Sequence, residues 1–200
     1  MQDQAFEILE ETPIYRGFFR LSRFRLRHTL FAGGWSDSIE RELFHRTSCV
    51  AVVPYDPWRD RVVLLEQFRI GAVRDGGNPW LVEVIAGAVE EGENADEVAH
   101  REAREEAGCD LKELIRLYEF FTTPGGSSER LTLYCGILDS AGLGGIHGLV
   151  EEGEDIRVSV SPFDEAWGLV QSGRIESGIP IIGLQWLAMN RDSLRRRYGG

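Results

Sequence analysis

One segment constrains this chain more than any other: GAVEEGENADEVAHREAREEAGC, residues 87–109. Residues 93–107 read as a helix bounded by Gly92 and Gly108, and its C-terminal half carries Glu102, Glu105 and Glu106. Glu102 and Glu106 stand at i,i+4, where like charges cost a helix roughly 0.2–0.5 kcal/mol per pair. At about 100° per residue they share a stripe with Ala95, Val98 and Ala99, whereas Glu97, His100, Arg101 and Arg104 form the stripe suited to solvent. The carboxylates therefore run along the edge of the packed side. Carboxylates crowded near a core need a partner that keeps them ionised. Residues 80–110 contain no lysine and two arginines. A hard divalent cation is one such partner, Mg²⁺ being the common choice where phosphate is also bound. A solvated acidic face is the other reading of the same residues.

The totals bound the partners. Two hundred residues suit one domain with a modest extension, and acids outnumber bases 33 to 22. Such a balance argues against nucleic acid and membrane surfaces, which call for basic patches. An anionic substrate then needs a cation or a few placed arginines. Cys49, Cys109 and Cys135 have no metal-type spacing and read as reduced thiols. The acidic start MQDQAFEILEETP lacks the features of a signal peptide. No window reaches the roughly 20 apolar residues of a membrane span, and the expected location is cytoplasmic.

Residues 5–45 are rich in aromatic and basic side chains, and stretches such as FRLSRFRLRHTLF alternate in type, which predicts that 1–45 form a small antiparallel sheet with a turn at Gly33-Gly34. Residues 46–200 change texture. Strands are expected at 49–55, 61–68, 80–87, 114–122 and 130–138. Residues 139–157 read as a long loop. Ser161-Pro162 is expected to open a helix, with Ser161 as cap, that Gly173 closes. A last helix follows in IPIIGLQWLAMNRDSLRRR. The mixed order predicts α/β layers.

The segment at 87–109 resembles the Nudix box, GX5EX7REUXEEXGU with U a bulky aliphatic residue. Gly87, Glu93, Arg101-Glu102, Glu105-Glu106 and Gly108 match all seven fixed letters. At roughly 7% usage per residue type, chance gives this on the order of 10⁻⁸ per position. The departures, Ala103 and Cys109, fall at U positions. The resemblance implies an α/β Nudix α/β/α sandwich behind the N-terminal sheet. It also implies divalent metal held by Glu102 and Glu106, with Glu105 and the main-chain oxygen of Ala86, and a Glu93–Arg101 pair bracing the helix against its loop. The family cleaves nucleoside diphosphates linked to another moiety, with Mg²⁺ or Mn²⁺ as cofactor.

Flanking segments resemble the bacterial ADP-ribose pyrophosphatases: Pro124 fifteen residues past Cys109, GIHGLVEEGEDIRV at 145–158, GLQWL at 183–187 and EQFRIGAV at 66–73. That subfamily draws its base from the acidic loop, which implies Glu152 as base, with Glu151 as its rival, and Glu154 as a further metal ligand. It implies substrate contacts at Arg41, Glu42, Arg46, Arg69, Ala88, Pro124, Gly125 and Glu129. Phe18 is either an adenine-stacking surface or a core aromatic of the small sheet. His147, alone in a loop, reads as structural. The expected reaction converts ADP-ribose to AMP and ribose 5-phosphate. The rivals are a sister enzyme acting on another nucleotide sugar such as GDP-mannose, and a module that binds ADP-ribose without cutting it. The resemblance also implies a homodimer with exchanged N-terminal sheets.

Overall fold

The computed structural model describes residues 4–73 and 77–199, with Glu152 described by its backbone alone. The chain divides into two compact units, one of residues 1–48 with 120–130 and the other of residues 49–119 with 131–200.

The first unit is built on three antiparallel strands in sequence order, β1 (Phe6–Arg16), β2 (Arg20–His28) and β3 (Ile39–His45). Charge fixes the register. Glu7 faces Arg27 and Glu10 lies opposite Arg25, giving ion pairs of 2.7 and 3.2 Å. Exposed pairs of this kind contribute at most about 1 kcal/mol each, so they select an alignment more than they stabilise it. A hydrogen-bonded relay through the buried Ser22 ties the strands together. Arg20 donates to Nδ1 of His45, whose Nε2–H donates to the Ser22 hydroxyl, which donates to Glu11. Gly33 and Gly34 form the expected turn, both at positive φ. The 120–130 segment joins this unit through β3: the Phe44 N–H donates to the Gly126 carbonyl at 2.8 Å, and Arg46 pairs with Glu129 at 2.9 Å.

The second unit contains β4 (Cys49–Asp56), β5 (Arg61–Phe68), β6 (Trp80–Glu83), β7 (Ile85–Ala88), α1 (Ala95–Ala107), β8 (Glu113–Phe121), β9 (Arg130–Ile137), β10 (Gly145–His147), β11 (Ile156–Pro162), α2 (Phe163–Gln171) and α3 (Gly178–Gly199), β8 and β9 running on into the 120–130 segment of the first unit. The mixed sheet runs β10-β11-β5-β4-β9-β8. Valine-rich β4 and β5 are buried on both faces, as their continuous apolar runs predict. Val50, Val52, Val63, Leu65 and Ile85 pack with Val98, Ala99, Ala103 and Ala107 of α1. The alternate residues Ala51, Val53, Val62 and Leu64 are equally buried on the face of α2 and α3, with Phe163, Ala166, Leu184 and Leu187. Each buried Val, Leu, Ile or Phe among them contributes roughly 1.5–3 kcal/mol on burial, and each alanine less. None of the three cysteines is in a disulfide, and burial pushes the Cys109 and Cys135 thiols up to about 12. Among the described residues no helix is long and apolar enough to cross a membrane.

Three sequence expectations are corrected. The stretch 80–87 is two strands, because β4 and β5 pair directly only at Tyr55–Val62 and Asp56–Arg61. Beyond that point β6 pairs with β5 and β7 with β4, so the chain changes partner at Val84. The supposed loop 139–157 contains β10, a single 3₁₀ turn at Val150–Glu152, and the start of β11. Ser161 and Pro162 end β11, paired with Val62 and Arg61, and do not cap a helix through the serine. Pro162 occupies the N-cap position of α2 without a side-chain bond, and the Phe163 N–H instead donates to the Asp60 carbonyl at 3.0 Å.

Candidate functional site

The site residues of the second unit gather where β7 runs into α1. Asn94 caps the helix, accepting the Asp96 N–H at 2.8 Å, and Gly108 ends it in the left-handed region at φ 60. Ala107 is the last helical residue, so the glutamates occupy the final two turns. Burial follows the expected stripe: Glu106 is 3% exposed and lies on the face of Val98, Ala99 and Ala103.

Glu106 accepts the Ala86 N–H at 2.9 Å. Burial first, then the charges of Glu102 and Glu154, push its carboxyl up to about 8, against the pull of the Ala86 N–H and Arg69. Burial also raises Glu102, with Glu105 and Glu154 adding to it and Arg101 opposing. Glu102 lies so close to the strand that a Cβ on Gly87 would stand 2.1 Å from its Oε1, which is why the residue opening this segment is glycine. Arg101 donates to Glu93 and, at 3.1 Å, to Glu102; its Nε lies 3.7 Å from Glu105. Glu93 also accepts the Glu90 N–H at 2.8 Å, and these bonds lower its carboxyl. The Glu93–Arg101 pair thus joins the loop to the helix.

The acidic loop docks on the end of α1. His147 packs against Gly108, where a Cβ would meet its ring at 2.5 Å, and its Nε2 bonds the Gly144 carbonyl. The Gly148 N–H donates to the Glu105 carbonyl. Glu154 folds back on its own loop, accepting the Leu149 N–H at 3.1 Å, and its charge reaches Glu102 and Glu106. Glu152 lies in the intervening 3₁₀ turn, and its side chain is outside the described residues.

The donor set is four carboxylates, mutually repulsive and offset by Arg101 and Arg69, with the main-chain oxygen of Ala86 in β7 beside them, all hard oxygens. That chemistry fits a divalent cation of the Mg²⁺ type. In this conformation no three His, Cys, Asp or Glu side chains among the described residues converge at ligating distance, since Glu102 is turned to Arg101 and Glu106 to Ala86.

A profile of the NUDIX domain matches residues 45–176 of the chain. This chain belongs to the NUDIX family. An ADP-ribose pyrophosphatase of Escherichia coli strain K12 is 43% identical over 192 residues, 96% of this chain and 92% of that protein. One from Haemophilus influenzae strain Rd is 46% identical over 198 residues, 98% of this chain and 91% of that protein. A GDP-mannose pyrophosphatase of Enterobacter sp. strain 638 is 34% identical over 154 residues, 76% of this chain and 78% of that protein. A crystal structure titled ADP compounds hydrolase superposes with a TM-score of 0.70 at 19% identity, covering 98% of this chain and 97% of its own, which supports the shared fold. The expected α/β Nudix fold, with a small N-terminal antiparallel sheet as a separate unit, is thus the observed architecture.

The other sequence-derived residues divide between the units. Ala88 ends β7 and Arg69 follows β5, both in the second unit. Phe18, Arg41, Glu42, Arg46, Pro124, Gly125 and Glu129 lie in the first. Phe18 is 95% exposed and meets Phe19 edge-on, so it is not a core aromatic. Arg46 stacks on Phe19 while bonding Glu129, which also accepts the Thr122 hydroxyl. Arg41 and Glu42 are exposed on β3. Sequence reasoning passed over Glu83, which holds Arg69, and Gln67, one pleat before Arg69, whose buried Nε2 finds no partner among the described residues. An isolated glutamate and glutamine in apolar strands were the available signal.

Proposed function

We propose that this chain hydrolyses the pyrophosphate linkage of ADP-ribose to AMP and ribose 5-phosphate with Mg²⁺, Mn²⁺ being able to replace it. The observation that carries the substrate is the 43–46% identity to ADP-ribose pyrophosphatases over nearly the whole chain, against 34% over three quarters of it for a GDP-mannose pyrophosphatase. Glu102, Glu105, Glu106, Glu154 and the Ala86 carbonyl would hold the metal. Bound there, it supplies neutralisation of charge developing on the phosphate oxygens and a more acidic attacking water. The Ala86 N–H fixes one oxygen of Glu106, which leaves the other available. Glu152 takes the proton of the water as its oxygen attacks phosphorus and the bridging P–O bond breaks. Arg69 binds the phosphates. Ala88 and, from the first unit, Phe18, Arg41, Glu42, Arg46, Pro124, Gly125 and Glu129 contact the nucleotide sugar. All the box glutamates are present, which favours an enzyme over a binding module. The working assembly is a homodimer with exchanged N-terminal sheets, acting on a soluble substrate in the cytoplasm.

The test is a panel of nucleotide sugars with purified protein, read by product identity. ADP-ribose should give AMP and ribose 5-phosphate, and excess chelator should stop the reaction. A higher kcat/KM for GDP-mannose would move the chain to the sister activity, and full activity in chelator would reject the metal.

A further inference from the structure

We propose that Glu83, backed by Ser177, is a positioning residue that holds Arg69 in its phosphate-binding pose; this rests on the proposed contact of Arg69 with substrate. The Arg69 Nε donates to one Glu83 oxygen at 2.8 Å, and the Ser177 hydroxyl donates to the other at 3.1 Å. Glu83 is well covered, its side chain 15% exposed, whereas Arg69 is 43% exposed. The carboxylate is therefore the fixed member of the pair and the guanidinium the mobile one. All three line or adjoin one open cavity of about 360 Å³, bounded by Arg69, Gly71, Ala72, Leu81, Glu83 and Glu176.

Strand geometry explains why Glu83 can do this. It pairs across from Leu65 at the end of β6, immediately before the chain crosses to β4 and delivers Ala86 to Glu106. One short segment thus carries both the brace for Arg69 and the N–H that anchors Glu106. Arg69 lies near enough for its charge to lower the Glu106 carboxyl. A bond through Nε fixes the plane of the guanidinium and leaves both terminal nitrogens, which have no partner among the described residues, to form a two-pronged phosphate contact. A second carboxylate in a cavity meant for an anion works against binding by charge alone. Its use there is orientation: a long arginine held before substrate arrives has less rotamer freedom to lose on binding. Ser177, one residue before α3, keeps Glu83 from following the arginine outward.

Two readouts test this. The Arg69 Nε–H should give a protected resonance in a ¹H–¹⁵N spectrum of the intact protein, identified by its loss in Arg69→Lys. It should vanish in Glu83→Ala and persist in Glu83→Gln, whose amide oxygen still accepts the bond. In kinetics with ADP-ribose, Glu83→Ala should raise KM about three- to tenfold, the scale of one immobilised side chain. Its kcat should stay within about twofold, as expected for binding lost equally from ground and transition states. Glu83→Gln should recover most of the KM, and adding Glu83→Ala to Arg69→Ala should raise it no further. A resonance unchanged in Glu83→Ala overturns the brace, as does an unchanged KM in Glu83→Ala when Arg69→Ala raises it. An unchanged KM in Arg69→Ala, with the resonance behaving as described, overturns instead the substrate role of Arg69 on which the proposal rests.

Discussion

Glu106 is nearly buried, and among the bonds of the described residues its carboxylate has one main-chain donor, the Ala86 N–H. Replacing it with glutamine keeps an acceptor for that N–H, so the fold should persist while the anionic ligand is lost. Turnover of Glu106→Gln should fall more than about a hundredfold, the upper end of what loss of an outer partner to a metal ligand costs, with an unchanged unfolding transition in chelator; retained turnover would remove Glu106 from the metal set. Glu152→Gln should lower kcat by about 10²–10⁴, the contribution of a positioned base. A nearly silent Glu152→Gln beside a severe Glu151→Gln would move the base to Glu151. Asp56 shows the opposite use of a buried carboxylate. It accepts the N–H groups of Trp58, Arg59 and Ser140, the Ser140 hydroxyl and the Arg59 guanidinium. Burial raises its carboxyl, and these donors together bring it below the ordinary value. Its stabilisation is therefore complete above the unfolded carboxyl pKa of about 3.9 and is lost as pH falls through the lower folded value. Asp56→Ala should cost about 3 kcal/mol in urea unfolding at pH 7 by stranding buried donors. Asp56→Asn should make stability less sensitive to acid below about pH 4. If acid sensitivity does not change, Asp56 is not the group responsible.

At the scale of elements, α1 shows what a sequence motif encodes physically. Gly87 admits Glu102, Asn94 caps the helix, and Gly108 both ends it at positive φ and receives the His147 ring. Gly108→Ala should destabilise by roughly 1–2 kcal/mol from the left-handed backbone, with the ring contact adding to it. His147→Ala in the same chain should return only the contact part, measured by chemical denaturation; complete recovery would mean the backbone conformation carries no cost. The helix was legible because its apolar period and its closing Gly108 agree, although it starts at Ala95 behind the Asn94 cap and not directly after Gly92; β5 was legible because its β-branched run is bounded by a turn at each end. The pairing change at Val84 was not legible, since it depends on β4 and β5 diverging, a relation between distant residues that WLVEVIAG does not carry. β11 was hidden differently. Its alternation of Ile156, Val158 and Val160 with polar residues was present, but the Ser161-Pro162 pair carries a helix-start signal that strand pairing with β5 overrides. The box glutamates could be read from spacing, whereas Glu83 could not, because its importance arises only from the partner folded against it.

At the scale of the whole molecule, the question is what covers β1. All eleven of its residues are exposed, including Phe6, Ile8, Leu9, Ile14 and Tyr15, and it forms one edge of the three-stranded sheet. A long edge strand with apolar side chains is a template for pairing with another chain, and a sheet of only three strands depends for its stability on burying an apolar face. The cross-strand pairs Glu7–Arg27 and Glu10–Arg25 are exposed and too weak to offset that. A second copy of the chain is the partner implied by resemblance to the bacterial ADP-ribose pyrophosphatases, with N-terminal sheets exchanged so that Arg41 of one chain contacts the substrate at the site of the other. Sedimentation should therefore show a dimer at micromolar concentration. Mixing makes the shared arrangement measurable. An Arg41→Ala chain and a Glu106→Gln chain, each impaired alone, should regain activity once subunits exchange, because a mixed dimer then has one site carrying both defects and one carrying neither. With equal mixing, half the dimers are mixed and each of these has one intact site of two, so about a quarter of the wild-type activity is expected by simple mass action. Activity that stays at the average of the two parents after proven subunit exchange would leave the dimer in place but confine each site to a single chain. A fully active monomer would eliminate both the dimer and the shared site, and β1 would then be covered by something other than a second copy.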